Sequence, residues 1–368
     1  MLNLPPITAA QKPIYLFKTI EMKQKNPPLR AILSILVAFL AILTTSSCQK
    51  DSAKDPAANP AISQNNAGLN VLAATIPLSP AFGHKVKLTA PISLYGAQNI
   101  TISGDSINGG SIPCINLTNC TNIHFTHCKL VNSKVVGINL SGCTSILIDS
   151  NYVSNVSTGV YAADSKTIRV SYNQMKNMQG PYPKGAFVQF DNVSGGYNRV
   201  IYNRFENILG ASYPEDAISM YKSNGIATDP IYIGGNWIRG GGPSKTGGGI
   251  MLGDNGGSYQ TASGNILVNP GQYGMAVSGG THMQITNNSI YAKAQSFTNV
   301  GLYYWNQSGL PSSVITISGN NVNFTSGIYG VNNYYVGAGN ATPAGWSTNV
   351  WNAPISASML QTTIITYN

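Results

Sequence analysis

The sequence predicts an all-β protein built from stacked, similar coils, and three observations point to this class. First, a short apolar pair followed by Asp, Cys or Asn recurs along the chain, and its first four instances are 23, 23 and 22 residues apart. A repeat of that length indicates one supersecondary unit stacked on itself. Second, the Val and Ile pairs alternate with segments rich in Gly, Asn, Ser and Thr, which is typical of short strands joined by turns. Third, little of the chain favours helix, although 43% of its 368 residues are hydrophobic.

The repeated polar position forms what we call the ladder. Asn tolerates left-handed backbone angles, and its amide can bond to the Asn of the next coil, so we expect the ladder to hold the coil corners. We therefore assign it a structural role and no part in catalysis. The ladder consists of Asp105, Cys128, Asn151, Asn173, Asn203, Asn236, Asn265, Asn288 and Asn320.

Helix-free coils of about 22 residues with Gly and Asn corners resemble the right-handed parallel β-helix of pectate lyases, polygalacturonases, alginate lyases and phage tailspikes. The resemblance spans roughly residues 90–325. It implies an all-β, right-handed parallel β-helix of about 9–10 coils with terminal caps. We place this domain at residues 76–368, with a C-terminal cap at 325–368 where the period is lost. A single coil would expose two open strand edges, and stacking satisfies the backbone of all but the terminal coils.

The N-terminal segment predicts export. A run of 13 apolar residues, 31–43, follows several basic residues and is too short to span a bilayer comfortably. It leads through small residues to Cys48, so residues 1–48 resemble a bacterial lipoprotein signal, with Met22 as a second possible start. An ordinary cleaved signal peptide or an uncleaved anchor is the alternative.

The lipoprotein resemblance, which includes signals of Bacteroidota surface lipoproteins, implies a lipid on Cys48. The protein would then be anchored in the outer membrane or at the cell surface of a Gram-negative bacterium. Residues 49–75 are rich in Ala, Asn, Pro, Ser and Asp without periodicity, so we expect a flexible tether there.

Charge argues against a nucleic-acid partner. The net charge is +9, but from residue 49 onward 16 basic and 11 acidic residues leave only +5. No cluster of Lys and Arg with interleaved aromatic residues supports nucleic-acid binding. The small positive charge is compatible with an anionic glycan. We expect the protein to be a monomer.

The cysteines after the signal lie within the repeats. Cys120 and Cys143 are 23 residues apart, hence in neighbouring coils about 4.8 Å from each other, where a disulfide is feasible. The preferred interpretation is that both are small buried core side chains. No spacing of Cys and His resembles a zinc site, so no metal ligands are predicted.

The repeat lengthens after Asn173, from 22 to about 30 residues for most later coils. Aligning a second column of strands places the extra residues directly before those strands, in loops that would stack along one face. Such insertions often mark a binding groove, so we place the site within residues 180–306. The loops are 179–184, 209–216, 240–248, 269–272 and 293–299.

Alternation along the strands of this column predicts two rows of inward side chains, with outward residues between them. One row is Val160, Val188, Ile218, Ile250, Met275 and Leu302. The other row is Ala162, Phe190, Met220, Leu252, Val277 and Tyr304.

The outward positions and the loops combine Tyr and Trp with scattered polar groups. This mixture suits a sugar chain, whose apolar faces stack on aromatic rings while its hydroxyls bond to polar groups. We therefore expect a polysaccharide as partner. The candidate substrate-binding residues are Gln189, Tyr213, Glu215, Lys245, Tyr303 and Trp305.

A polysaccharide lyase acting on an acidic glycan is the first of two enzymatic hypotheses. Tyr221 or Lys222 would remove the proton beside a uronate carboxylate, and Arg239 or Lys245 would neutralise that carboxylate. Alginate lyases of β-helix type pair a Lys with an Arg, and this analogy places the lyase ahead of the hydrolase.

An inverting glycoside hydrolase is the second hypothesis. Asp191 and Asp254 lie two coils apart, about 10 Å between backbones, which suits an inverting carboxyl pair. The sequence lacks the Asn-Thr-Asp, Asp-Asp and Gly-His-Gly motifs of polygalacturonases. Lys222 and Asp254 are expected in one corner column on adjacent coils, where the alternative to a catalytic role is a structural salt bridge between them.

Glu215 and Asp216 are adjacent acids at the mouth of a loop, and Asp216 is a further catalytic candidate. They could also hold Ca²⁺, although two acids are few for a cation that takes six or more oxygens. A non-catalytic glycan-binding or surface-interaction protein remains the alternative from another class, because no motif names a reaction.

Overall fold

The computed structural model describes residues 86–180 and 185–365. All of them belong to the second of two compact units, Gly68–Asn368. The predicted signal with Cys48 and the predicted tether at 49–75 lie outside the described residues. Within the described ranges, no helix is both long enough and apolar enough to cross a bilayer.

The described chain runs through three stacked sheets, and each coil contributes one strand to each sheet in turn. We call these sheets A, B and C. Most strands pair in parallel with the strand that comes three places later in the chain. Near the C-terminal end of the described residues, one pair of strands is antiparallel, with Thr325 opposite Val331 and Ser326 opposite Gly330. The predicted all-β parallel β-helix and its number of coils are confirmed.

Sheet A contains twelve strands. They are β1 (Lys87–Thr89), β4 (Asp105–Gly110), β7 (Lys129–Ser133), β10 (Tyr152–Ser154), β13 (Gln174–Lys176), β16 (Arg204–Glu206), β19 (Trp237–Arg239), β22 (Ile266–Val268), β25 (Ser289–Ala292), β28 (Asn321–Ser326), β29 (Gly330–Val331) and β31 (Val350–Trp351).

Sheet B contains ten strands. They are β2 (Ile92–Tyr95), β5 (Ile115–Thr118), β8 (Val136–Ser141), β11 (Thr158–Ala163), β14 (Val188–Asp191), β17 (Ile218–Tyr221), β20 (Ile250–Asp254), β23 (Tyr273–Val277), β26 (Val300–Tyr304) and β30 (Tyr334–Val336).

Sheet C contains nine strands. They are β3 (Gln98–Ser103), β6 (Thr121–Thr126), β9 (Thr144–Asp149), β12 (Lys166–Ser171), β15 (Arg199–Ile201), β18 (Ile231–Gly234), β21 (Ser258–Ser263), β24 (Thr281–Thr286) and β27 (Ser313–Ser318). Two short 3-10 helices, Trp346–Thr348 and Ala357–Met359, follow the last strand of sheet C.

The core is the interior of the coil stack, and the two predicted inward rows of sheet B are confirmed. Val160 pairs with Val188, and the first row continues in register through Ile218 and Ile250 to the later coils. Residues of both rows are buried in one continuous apolar cluster. Stacked rows of this kind remove apolar surface from water in every coil, which is the main favourable contribution to folding.

The ladder closes the turn from sheet C to sheet A. From Asn173 onward, each Asn Oδ1 accepts hydrogen bonds of 2.8–3.0 Å from the backbone N–H and the side-chain amide of the ladder residue before it. The series runs on beyond the predicted Asn320 to Asn349. The second amide hydrogen reaches a strand carbonyl, as from Asn203 to Val170. These buried amides are therefore fully paired.

The left-handed backbone angle at these corners differs from our expectation. It belongs to the residue just before the ladder residue, as at Ser150, Tyr172 and Tyr202, which have φ between 54° and 56°. The Asn itself uses its side chain, and the preceding residue supplies the bend. The rings of Tyr172 and Tyr202 stack in successive coils with centroids 5.4 Å apart.

Cys120 and Cys143 are free thiols buried in the core. Burial raises the pKa of Cys143 above its usual value, as expected for an apolar surrounding. Cys128 caps the ladder, because its backbone N–H donates to Asn151 at 2.9 Å.

The C-terminal region, predicted as a cap, contains one further coil. Strands β30 and β31 extend sheets B and A, and Thr316 bridges to Ala344 beside sheet C. The rings of Tyr334, Trp346 and Trp351 pack together at the end of this coil, with centroids 4.6–5.6 Å apart. Aromatic closure of this kind covers core that no further coil buries.

Residues 353–365, which we call the strap, turn back across the outer face of sheet A. Leu360, Ile364 and Ile365 are buried there in a second apolar cluster that includes Val268. The backbone N–H of Ile365 donates to Glu206 at 3.1 Å. The strap therefore ties several coils of sheet A together.

The ladder predicts a large difference between two Asn to Ala substitutions. Asn236→Ala removes the acceptor of two Asn203 N–H groups in a buried site, and each buried polar group left unpaired costs about 1–3 kcal/mol. We expect the free energy of unfolding in urea to fall by about 2–6 kcal/mol, the sum for those two groups. Asn116→Ala is the control, because this half-exposed strand residue can exchange its hydrogen bonds for water. Equal losses for the two variants would contradict a supporting role of the ladder.

Candidate functional site

The five predicted loops all lie in turns from sheet A to sheet B. They fall between β13 and β14, β16 and β17, β19 and β20, β22 and β23, and β25 and β26. Residues 181–184 of the first loop lie outside the described part of the chain. The turns from sheet C to sheet A stay at two residues from β9 to β28, so the coils grow at the two edges of sheet B. The five predicted loops lie at one edge, and the turns 192–198, 222–230 and 305–312 lengthen at the other.

The outer face of sheet B beside these loops carries a column of polar and aromatic side chains. Tyr161, Gln189, Ser219 and Met251 are partners on successive strands. Gln189 and Ser219 are both buried. The loop edge therefore covers part of this face and shields it from bulk water.

A register shift in β20 changes one predicted pairing. Gly253 has φ +64° and adds a residue, so Asp254 lies opposite Tyr221 instead of the predicted Lys222. Asp191 is also a partner of Tyr221, which makes a column of Asp191, Tyr221 and Asp254. The predicted salt bridge between Lys222 and Asp254 is wrong, because Lys222 places its Nζ 5.0 Å from the ring centroid of Tyr221.

The two carboxyl groups of this column have different surroundings. Asp191 accepts a hydrogen bond of 2.5 Å from the hydroxyl of Tyr161. Burial raises the pKa of Asp254, and the charge of Asp191 raises it further, against a hydrogen bond from Ser219 that lowers it. The pair therefore contains one carboxyl that favours retention of its proton.

Asp216 is the most perturbed carboxyl of the group. Burial raises its pKa to about 7, and the charges of Glu215 and Asp254 act in the same direction. Hydrogen bonds from the hydroxyl of Tyr273 and from the backbone N–H of Gly248, the latter 3.0 Å long, oppose the shift. Asp216, Asp191 and Asp254 thus form an electrostatically coupled set on one face.

Glu215 is occupied by a loop. Its two carboxylate oxygens accept hydrogen bonds from Ser244 at 2.7 Å and from Thr246 at 2.6 Å. These bonds hold the glycine-rich loop 240–248 against the preceding one. Among the described residues, no group of three or more His, Cys, Asp or Glu is placed to hold a metal ion. The geometry of Glu215 therefore indicates a loop-anchoring residue.

A cleft of about 570 Å³ continues the same face towards the C-terminal coils. Three predicted substrate-binding residues, Lys245, Tyr303 and Trp305, contribute to its lining. The other lining residues are Thr246, Gln272, Asn299, Val300, Gln307, Tyr329, Asn332 and Tyr335. Tyr213, another predicted substrate-binding residue, is exposed on its loop and does not line this cleft.

Arg239 is placed away from this group. It belongs to sheet A, and its guanidinium donates to the backbone carbonyls of Ala357 and Leu360 in the strap, both at 3.4 Å. Its charge therefore holds the strap and does not face the outer side of sheet B. The repeat in the sequence could not predict these contacts of Arg239, because the two partners lie 118 and 121 residues later in the chain.

Two functional residues were missing from the sequence-based set. Tyr161 and Tyr273 donate to Asp191 and Asp216. Tyr161 stands one coil before Gln189 in the same outward column, so extending that column by one coil would have found it. Tyr273 carried no such signal, because its contact with Asp216 crosses 57 residues of chain.

Comparison with known proteins adds to the description of the fold. A family model described as a right handed beta helix region matches residues 90–242, in agreement with the predicted handedness. No curated protein matches the chain.

Two solved structures similar to this chain are catalytic domains of a GH87 alpha-1,3-glucanase. One is in complex with nigerose and is 11% identical to this chain, with a TM-score of 0.37. The match covers 73% of this chain and 65% of the length of that structure. The other is a variant in complex with tetrasaccharides and is 13% identical, with a TM-score of 0.35. That match covers 81% of this chain and 71% of the length of that structure.

The raised pKa of Asp216 predicts how stability depends on pH. Its pKa rises from the usual 3.8 to about 7, so the folded protein keeps a proton that the unfolded chain has lost. The stability that this proton contributes is present below pH 3.8 and is lost as the pH rises towards about 7. An asparagine side chain does not titrate, so Asp216→Asn removes this loss. The melting temperature of the variant minus that of the parent should therefore increase as the pH rises from 3.8 to about 7. Asp149→Asn on sheet C serves as the control, and a gain that stays constant with pH would contradict the shifted pKa of Asp216.

Proposed function

We propose that this protein is carbohydrate-active and hydrolyses the glycosidic bonds of a polysaccharide bound along the outer face of sheet B. The observation that carries the proposal is the column of Asp191, Tyr221 and Asp254, in which two carboxyl groups have contrasting surroundings. Glycoside hydrolysis needs one carboxyl as acid and a second as base or nucleophile.

The proposed roles follow from the surroundings of each carboxyl. Asp254, whose pKa is raised by burial, keeps a proton and donates it to the glycosidic oxygen. Asp191, held by Tyr161, accepts a proton from the attacking water. Their backbones stand two strands apart, about 10 Å, which allows the carboxyl separation of about 6.5–9.5 Å typical of inverting enzymes. Asp216 accepts a hydrogen bond from Tyr273. Burial raises the pKa of Tyr273 and Tyr303, and the charge of Asp216 when ionised raises it further.

Hydrolysis is better supported than the lyase chemistry that the sequence favoured. A lyase needs a cation beside the uronate carboxylate, and the guanidinium of Arg239 instead binds the strap on sheet A. Tyr221 lies between Asp191 and Asp254, the kind of carboxyl pair that a hydrolase uses, while Lys222 packs its ammonium on the Tyr221 ring, 5.0 Å from the centroid.

Asp254→Asn and Asp191→Asn should each lower turnover by about 100-fold to 10,000-fold, because general acid and base groups contribute factors of that size. Release of reducing ends from neutral glucans and from uronate polymers is the measurement. Asp149→Asn, the same chemical change on sheet C, is the matched control. Ultraviolet absorbance from unsaturated ends would instead establish a lyase. Absence of products in both assays, with glycan binding retained, would leave a binding protein and refute hydrolysis.

We also propose that the protein is exported and carries a lipid on Cys48, on the strength of the basic residues, the apolar run and the small residues before that cysteine. Cells fed a radiolabelled or alkyne-tagged fatty acid should label the parent protein and not Cys48→Ser. Equal labelling of the two proteins, or labelling of neither, would contradict the anchor.

A further inference from the structure

The lining of the 570 Å³ cleft contains many amides and few charges. Side-chain amides come from Gln272, Asn299, Gln307 and Asn332. Gln272, Gln307 and Asn332 each donate one amide hydrogen within the protein, and an amide has a second hydrogen and a carbonyl oxygen with which to bond a hydroxyl group. Lys245 is the one charged side chain in the lining, and it is exposed at the rim. A ligand with many hydroxyls and no net charge matches this set of groups.

Aromatic rings form a corner in the cleft. Trp305 and Tyr335 meet edge to face, with centroids 6.4 Å apart and planes at 88°. Both side chains are 46% exposed, so each keeps a free apolar surface beside the amides. The apolar face of a pyranose ring stacks on such a surface while its hydroxyls point sideways to polar groups.

The position of Trp305 is built into the fold. A Cβ placed on Gly337 would lie 2.3 Å from the indole, so the ring packs directly on the backbone of that glycine. The backbone N–H of Trp305 is held by the carbonyl of Val277 at 3.0 Å. Residue 337 must therefore be Gly for the indole to keep this place.

The cleft is linked to the carboxyl groups through two packed tyrosines. Tyr303, in its lining, meets the ring of Tyr273 edge to face at 5.3 Å, and Tyr273 donates to Asp216. The charges of Asp216 and Asp254 reach Tyr303 strongly enough to affect its titration. A carboxylate on a bound sugar would find one cation in the lining, Lys245, to offset the loss of its hydration.

We propose that this cleft is a binding subsite for an uncharged pyranose unit of the glycan chain, stacked on Trp305 and hydrogen-bonded to the surrounding amides. This proposal rests on the proposed function, because it takes the ligand to be a glycan. It goes further by specifying neutral sugars as the substrate class. The bound glycan would run from the column of Asp191, Tyr221 and Asp254 towards the C-terminal coils.

The test measures binding directly, in the Asp254→Asn background so that the ligand is not consumed. Titration calorimetry compares three neutral probes, maltohexaose, cellohexaose and laminarihexaose, with hexagalacturonate of equal length. We expect at least one neutral hexamer to bind and hexagalacturonate to bind at least about tenfold more weakly. Stronger binding of hexagalacturonate would overturn the proposal.

Two variants locate the binding in the cleft. Trp305→Ala should weaken the neutral hexamer about tenfold or more, and Gly337→Ala should weaken it too, because it displaces the indole without removing it. Tyr95→Ala is the matched control, since Tyr95 is an exposed aromatic residue on the first strand of the same sheet. An unchanged melting temperature of Trp305→Ala excludes unfolding as the cause. Equal affinity in Trp305→Ala and Tyr95→Ala would refute the subsite.

The outcomes separate this subsite from the hydrolase proposal. Binding that depends on Trp305 without any release of reducing ends supports the subsite and refutes hydrolysis. Hydrolysis of a long neutral glucan whose KM is the same in Trp305→Ala supports the proposed function and refutes the subsite. If both hold, Trp305→Ala should raise KM with little change in kcat, because the ring lies away from the reacting bond.

Discussion

The two-residue turn from sheet C to sheet A is the constraint on which the other parts of the structure depend. From β9 onward, each such turn places one buried Asn whose amide bonds to the next coil, and one residue with a left-handed backbone provides the bend. A buried amide without partners would cost about 1–3 kcal/mol, so the series favours one register for the whole stack. Because this corner keeps its length, the strands of all three sheets stay aligned while other corners vary.

The fixed corner explains why the site lies where it does. Extra residues cannot enter the turns from sheet C to sheet A without breaking the ladder, and they collect at the two edges of sheet B, with the five predicted loops between sheets A and B. The loops then stand beside sheet B and partly cover its outer face. Asp216 belongs to one of these loops and accepts a hydrogen bond from Gly248 of the next, and burial there raises its pKa.

The residues predicted for the interior and those predicted for the site came out differently. The inward rows, from Val160 to Leu302, depend on alternation along each strand, which is a local property, and they lie as predicted. Asp191 and Asp254 also share a face, but the extra residue at Gly253 moved Asp254 one position along its strand. Arg239 was assigned to the groove from its charge and its neighbouring loop, and its partners lie in the distant strap.

By itself, the sequence determined the repeating coil, the ladder, the inward rows and the five loops that precede the strands of sheet B. These features depend on periods of two residues along a strand and about 22 to 33 along the chain, which short-range preferences and stacking impose. Only the tertiary structure decided which carboxyls are coupled, that Glu215 anchors a loop, and that a cleft rich in amides continues past Tyr303. Those properties depend on contacts between distant loops and on local burial, and neither has a period in the sequence.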